Sequence, residues 1–157
     1  MGKELRDRQR LNFFDLDEEI EKREGVTVGE IFANHGEARF RQVEAEVLRS
    51  ILLEEDDFLM ATGGGAPCFH DNMTVINSNG VSVFLDVSPE TLVKRLQSKG
   101  LEERPLLNDS TDGDLLEKIS RIRSKRLPVY LKSALVITND NITSKDLWAA
   151  LELKLKN

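Results

Sequence analysis

The sequence of 157 residues has a single cysteine, Cys68, so no intramolecular disulfide can form and a reducing compartment is expected. No apolar run approaches the roughly 20 residues that cross a bilayer, and the first residues are charged rather than signal-like. Met1-Gly2 looks like the start of a myristoylation signal, but Arg6 stands where Ser or Thr is wanted. These absences predict a soluble, cytoplasmic chain with no membrane partner. A basic stripe is also missing: the net charge is −6, which argues against a nucleic-acid surface. With no repeats, low-complexity tracts or linkers, residues 1–157 read as one domain. Cys68, His70 and Asp71 match no common zinc spacing and have no second ligand cluster, so they read as loop residues. Nowhere does the sequence contain a glycine-rich phosphate loop ending in Lys-Ser/Thr.

What is present begins with Phe58-Leu59-Met60-Ala61-Thr62 followed by Gly63, Gly64 and Gly65. A strand ending in three residues without Cβ atoms lets backbone N–H groups come close to an anion or a small ring. Other short strands are expected at Asn12–Asp15, Val81–Asp86 and Ala134–Thr138. Helices are expected from Gly2 to about Leu11, from Asp17 to Glu24 with a stop at Gly25, and from Val28 to Asn34 behind a Thr27/Glu30 capping box. Further helices should run from Glu37 to about Leu53, Asp71 to Asn79, Ser88-Pro89 to about Ser98, and Asp114 to Leu127. A closing helix carries Leu147, Trp148, Leu151 and Leu155 on its apolar face. Lys99 to Gly113 is polar and reads as a flap, a lid over about 99–113. Strands alternating with helices predict an α/β fold of three layers, α/β/α, around a parallel sheet. In such sheets ligands bind beyond the carboxyl ends of the strands, where Asp15, Asp17 and the three glycines fall.

Each motif has a bland reading. Asp15 and Asp17 could cap the next helix, and the glycines could form a plain turn. Arg41 could be solvated on a charged helix, Arg126 could belong to an exposed basic face with Arg121, Arg123 and Lys125, and Arg104-Pro105 could be ordinary loop chemistry. His35 should face solvent, and Phe13, Phe14, Phe40 and Phe58 should be core. Only the ordered coincidence of the motifs argues for more.

That coincidence is specific. Phe14-Asp15-Leu16-Asp17, Gly36-Glu37-Ala38-Arg39-Phe40-Arg41-Gln42-Val43-Glu44, Ala61-Thr62-Gly63-Gly64-Gly65, Arg104-Pro105-Leu106-Leu107 and Lys125-Arg126-Leu127-Pro128-Val129-Tyr130 together resemble a shikimate kinase. The resemblance implies a small P-loop kinase of the nucleoside-monophosphate-kinase type, transferring the γ-phosphoryl of ATP to the 3-hydroxyl of shikimate on the route to chorismate. It implies that Asp15 helps hold Mg²⁺ through water and that Asp17 binds the reacting hydroxyl and accepts its proton. Arg41 and Arg126 would grip the substrate carboxylate, Gly63, Gly64 and Gly65 would lie beside the ring, and Arg104 would approach ATP from the lid. Guanidinium forks suit a planar carboxylate, hard Mg²⁺ suits oxygen donors, and phosphoryl transfer needs mainly positioning and charge.

The resemblance also implies a first strand and phosphate loop ahead of Gly2, with that central first strand lying between Phe58–Thr62 and Val81–Asp86. On this reading the chain is truncated at its N-terminus and, as written, poorly active or inactive. The two flanking strands would then close on each other or keep exposed edges. The family reading implies a monomer, with edge-strand association as the alternative here. A non-catalytic shikimate-binding or regulatory protein is the competing function, and a gluconate or nucleotide kinase a weaker one.

Overall fold

The computed structural model describes residues 2–9, 11–54, 57–99 and 112–156. Its order is α1 (Gly2–Gln9), β1 (Asn12–Asp15), α2 (Leu16–Glu24), α3 (Val28–Glu54), β2 (Phe58–Ala61), a 3₁₀ turn (Ala66–Cys68) and α4 (Asn72–Asn79). There follow β3 (Val83–Asp86), α5 (Pro89–Lys99), α6 (Asp112–Tyr130), β4 (Leu135–Thr138) and α7 (Ser144–Leu155). The lid expected over about 99–113, with Arg104 on it, lies largely outside the described residues.

Local chemistry sets the helix limits. The Asp15 carboxylate accepts the Asp17 N–H at 3.2 Å and caps α2. Gly25 closes α2 in the left-handed region at φ 73°, its N–H reaching the Glu21 carbonyl. Thr27 and Glu30 form the expected capping box, with the Thr27 N–H donating to Glu30 at 2.8 Å. α3 is two helical segments meeting at Gly36, whose φ of 76° and ψ of 174° are not helical. This is the break expected between Asn34 and Glu37. Some details differ from expectation. α6 continues through Pro128 to Tyr130, because one missing N–H removes a single rung and Leu131 still bonds to Leu127 at 2.9 Å. Leu155 is exposed, so the buried face of α7 is Leu147 and Leu151.

The strands form two parallel ladders. β1 pairs with β2, from Asn12 against Phe58 to Asp15 against Ala61, and β3 pairs with β4, from Val83 against Leu135 to Asp86 against Thr138. Among the described residues β2 and β3 make no ladder with each other. Of the two outcomes expected for these flanking strands, direct closure is therefore not adopted.

Alternation along the strands builds the layers. Phe58 and Met60 of β2 join Phe14 of β1 in a core with Leu16 and Ile20 of α2 and Phe40, Val43, Val47 and Leu48 of α3. Leu59 faces the other way, into a cluster with Leu5 of α1 and Leu147 and Leu151 of α7. That second cluster also takes Val83 and Leu85 from β3 and Leu135 and Ile137 from β4, so apolar packing under α1 and α7 joins the two ladders. On the opposite face Phe84 of β3 meets Tyr130 of α6, with ring centroids 4.8 Å apart. Phe14 and Phe58 pack edge to face at 5.6 Å, as expected for core rings. His35 is exposed.

Candidate active site

β2 ends at Ala61, and Thr62 leads into the glycine segment at its carboxyl end. Gly63 has a φ of 66°, a turn conformation that disfavours any side chain, although nothing lies within 4 Å of where its Cβ would be. Gly64 and Gly65 are needed for a different reason, close approach. A Cβ on Gly65 would lie 2.5 Å from Arg41 Nη1 and 2.7 Å from Nη2. A Cβ on Gly64 would lie 3.1 Å from the Tyr130 hydroxyl and 3.6 Å from Arg126 Nη1. Two guanidinium groups, far apart in sequence, thus stand against adjacent glycines.

Arg41 is 5% exposed, which disposes of the solvated-helix reading. Its Nη1 donates to both oxygens of Glu44 at 2.9 Å, and its Nε and Nη2 donate to Glu37 at 3.2 and 3.1 Å. Its guanidinium centre lies over two rings, 4.9 Å from the centroid of Phe40 and 4.4 Å from that of Phe69. Helical spacing brings Glu37 and Glu44 to Arg41, four residues before it and three after. Neither glutamate, nor Phe69, was singled out for the site from sequence, although that spacing was readable.

Glu44 is buried with Arg41, 2% exposed. Burial pushes its carboxyl above the ordinary 4.5, while the hydrogen bonds and charge of Arg41 pull it down. Asp17 adds to the upward push and Arg126 opposes it, so both charges lie within electrostatic reach of Glu44. Burial likewise raises the Cys68 thiol, against the pull of Arg126 and Arg41. Cys68 ends the 3₁₀ turn, and its N–H is bonded to the Gly65 carbonyl at 2.9 Å. It lies beside the site as a protonated thiol rather than a thiolate nucleophile.

The structure therefore brings Arg41, Gly64, Gly65 and Arg126 to one place, with Gly63 shaping the approach and Asp17 within electrostatic reach of Glu44. Asp15 stands at the end of β1, beside this cluster in sequence, and caps α2 as its bland reading had it. Arg104 is outside the described residues. Among those residues no three of His, Cys, Asp and Glu converge on a point that could hold a metal ion.

The close approach at Gly65 yields a sharp expectation. Gly65→Ala should weaken binding of a carboxylated ligand at least 10-fold, because Arg41 is held by two carboxylates and two rings and cannot step aside. Gly63→Ala should instead destabilise the fold by about 1 kcal/mol through backbone strain with a smaller effect on binding. Calorimetric titration beside thermal melting separates the two. Equal binding by wild type and Gly65→Ala would remove the glycine from the site.

The fold has counterparts among solved structures. Shikimate kinase from Bacteroides thetaiotaomicron, solved by crystallography, superposes with a TM-score of 0.85 at 35% identity, covering 99% of this chain and 88% of that one. Shikimate kinase from Acinetobacter baumannii, in complex with shikimate, superposes with a TM-score of 0.84 at 28% identity over 99% of this chain and 83% of that one. With parallel strands, helices on both faces and a polar cluster at the strand ends, the molecule is an α/β protein of the P-loop kinase type. In sequence, shikimate kinase from Bacteroides fragilis is 40% identical over 145 residues, which is 92% of this chain and 80% of the relative. The family model for shikimate kinase matches residues 1–154. The chain belongs to the shikimate kinase family and is an enzyme of that type.

Proposed function

We propose that this chain binds shikimate as the acceptor of a phosphoryl group, at its 3-hydroxyl, with ATP as donor. The observation that carries the reading is the placement of Arg41 and Arg126 against neighbouring glycines, two forks converging where a small ring acid would lie. On this reading Arg41 and Arg126 hold the carboxylate, and the backbone of Gly63, Gly64 and Gly65 lies against the ring. Asp17 binds the 3-hydroxyl and takes its proton as the oxygen attacks. Glu37 and Glu44 keep the Arg41 fork aimed, so little ordering is left for the moment of binding. Arg104 is assigned the lid contact to the phosphoryl group.

Asp15 offers the oxygen donor that Mg²⁺ prefers, through water, and the cation when bound would neutralise charge on the transferring phosphoryl. The nucleotide is served differently. The sequence contains no Lys-Ser/Thr phosphate loop, so the residues in hand fit the acceptor acid and the cation better than the triphosphate. The 157-residue polypeptide is therefore expected to bind shikimate while releasing ADP from ATP slowly or not at all. The competing reading is a shikimate-binding or regulatory member of the family without turnover.

Two measurements on the 157-residue chain decide between them. Calorimetry with shikimate and separately with Mg²⁺-ATP reports which ligands bind, and a coupled ADP assay reports turnover. Shikimate binding with ADP release supports the kinase, and shikimate binding alone supports the non-catalytic reading. Absence of shikimate binding would end both.

A further inference from the structure

Tyr130, the chain's single tyrosine, takes no part in the roles above, yet it touches both walls of the site. Its hydroxyl donates to the Gly64 carbonyl at 2.5 Å. Arg126, one helical turn earlier on α6, stands against the same glycine, and its charge opposes the rise of the phenol, which puts the guanidinium within electrostatic reach of the Tyr130 hydroxyl. Its ring lies against Phe84 of β3, interplanar angle 35°, which anchors the phenol to the second ladder while the hydroxyl reaches the end of the first. Burial raises the phenol above its ordinary value of 10.0, so it remains a protonated donor throughout the neutral range.

We propose that Tyr130 is a positioning residue that fixes the Gly64–Gly65 peptide and the Arg126 guanidinium in register for a carboxylate ligand. The geometry requires few steps. In a trans peptide the carbonyl and the following N–H point in opposite directions. With the Gly64 carbonyl tied to Tyr130, the Gly65 N–H is turned away from the Tyr130 hydroxyl. The hydroxyl oxygen also offers the neighbouring Arg126 an acceptor for one of its N–H groups, which limits the rotamers of a long side chain before ligand arrives. Tyr130 is the last residue of α6, and the helix reaches that far because it runs through Pro128.

The inference rests on the shikimate-binding reading, and its test separates the two. Tyr130→Phe keeps the ring against Phe84 and removes only the hydroxyl, so the melting temperature should change little. In ligand-free protein the ¹⁵N resonance of Gly65, which senses a hydrogen bond on the preceding carbonyl, and the Arg126 Nε–Hε resonance should both shift. The Arg41 Nε–Hε resonance should stay in place. With shikimate, Tyr130→Phe should raise Kd roughly 10-fold, as expected for a lost hydrogen bond to a charged group. The same substitution in an Arg126→Ala background should add less than 3-fold, because the two act together. A structural role alone would produce additive losses and would move Arg41 as well. Unmoved Gly65 and Arg126 resonances, or an unchanged Kd in protein that binds shikimate, would overturn the assignment. Should wild type fail to bind shikimate, the resonances still decide whether Tyr130 holds the two walls, while the functional reading falls.

Discussion

Arg126→Ala is expected to raise the Kd for shikimate about 100-fold while leaving the melting temperature within a few degrees of wild type. Arg126 is half-buried on α6 and stands against Gly64 beside the Tyr130 hydroxyl, with no carboxylate paired to it among the contacts described. Losing it therefore removes a ligand contact without stranding a buried charge. Arg126→Lys should recover only part of the affinity, since an ammonium replaces a planar fork with a point charge. Calorimetry on the three proteins checks the order. An unchanged Kd for Arg126→Ala would take that residue out of the site.

The second large effect falls on stability and carries a pH signature. Arg41→Ala removes the partner that donates to both oxygens of Glu44, leaving a carboxylate that is 2% exposed without compensation. Stranding one member of a buried pair typically costs roughly 3–5 kcal/mol at neutral pH. In wild type, burial already holds Glu44 above 4.5 despite the pull of Arg41, so removing Arg41 must raise it further. A carboxyl whose folded pKa exceeds its unfolded value favours folding when protonated, below the unfolded value. That contribution is lost as pH climbs from there through the folded pKa. The stability deficit of Arg41→Ala should accordingly be smallest near pH 4.5 and widen toward neutrality. Arg41→Ala combined with Glu44→Gln should lose most of this pH dependence. Urea melts of wild type and both variants at several pH values measure it, and a deficit independent of pH would show that Glu44 is not the stranded group.

These two arginines illustrate how differently the parts of the site could be read in advance. Both were named from motifs, yet nothing in their neighbourhoods distinguishes Arg126 from Arg121, Arg123 and Lys125 on the same basic helix. Their shared address at Gly64 and Gly65 comes from chain segments more than twenty residues away in one case and some sixty in the other. The two glutamates around Arg41 are a local matter, because helical spacing alone brings positions 37 and 44 to position 41. Tyr130 needed the continuation of α6 through Pro128, a place where proline is expected to end a helix. The capping of α2 by Asp15 shows that a bland role and a functional one can fall on the same carboxylate.

Short-range chemistry along the chain was sufficient for the alternation of strands and helices, the capping box at Thr27, the break at Gly36 and the glycine segment behind β2. Hydrophobic periodicity and backbone preference act over a few residues, so they are written in the order of the letters. The burial of Arg41 and Glu44, the pairing of four strands into two ladders and the meeting of Tyr130 with Gly64 were decided only in three dimensions. Those outcomes depend on desolvation and on contacts between distant segments, and both are properties of the packed molecule rather than of any stretch of its sequence.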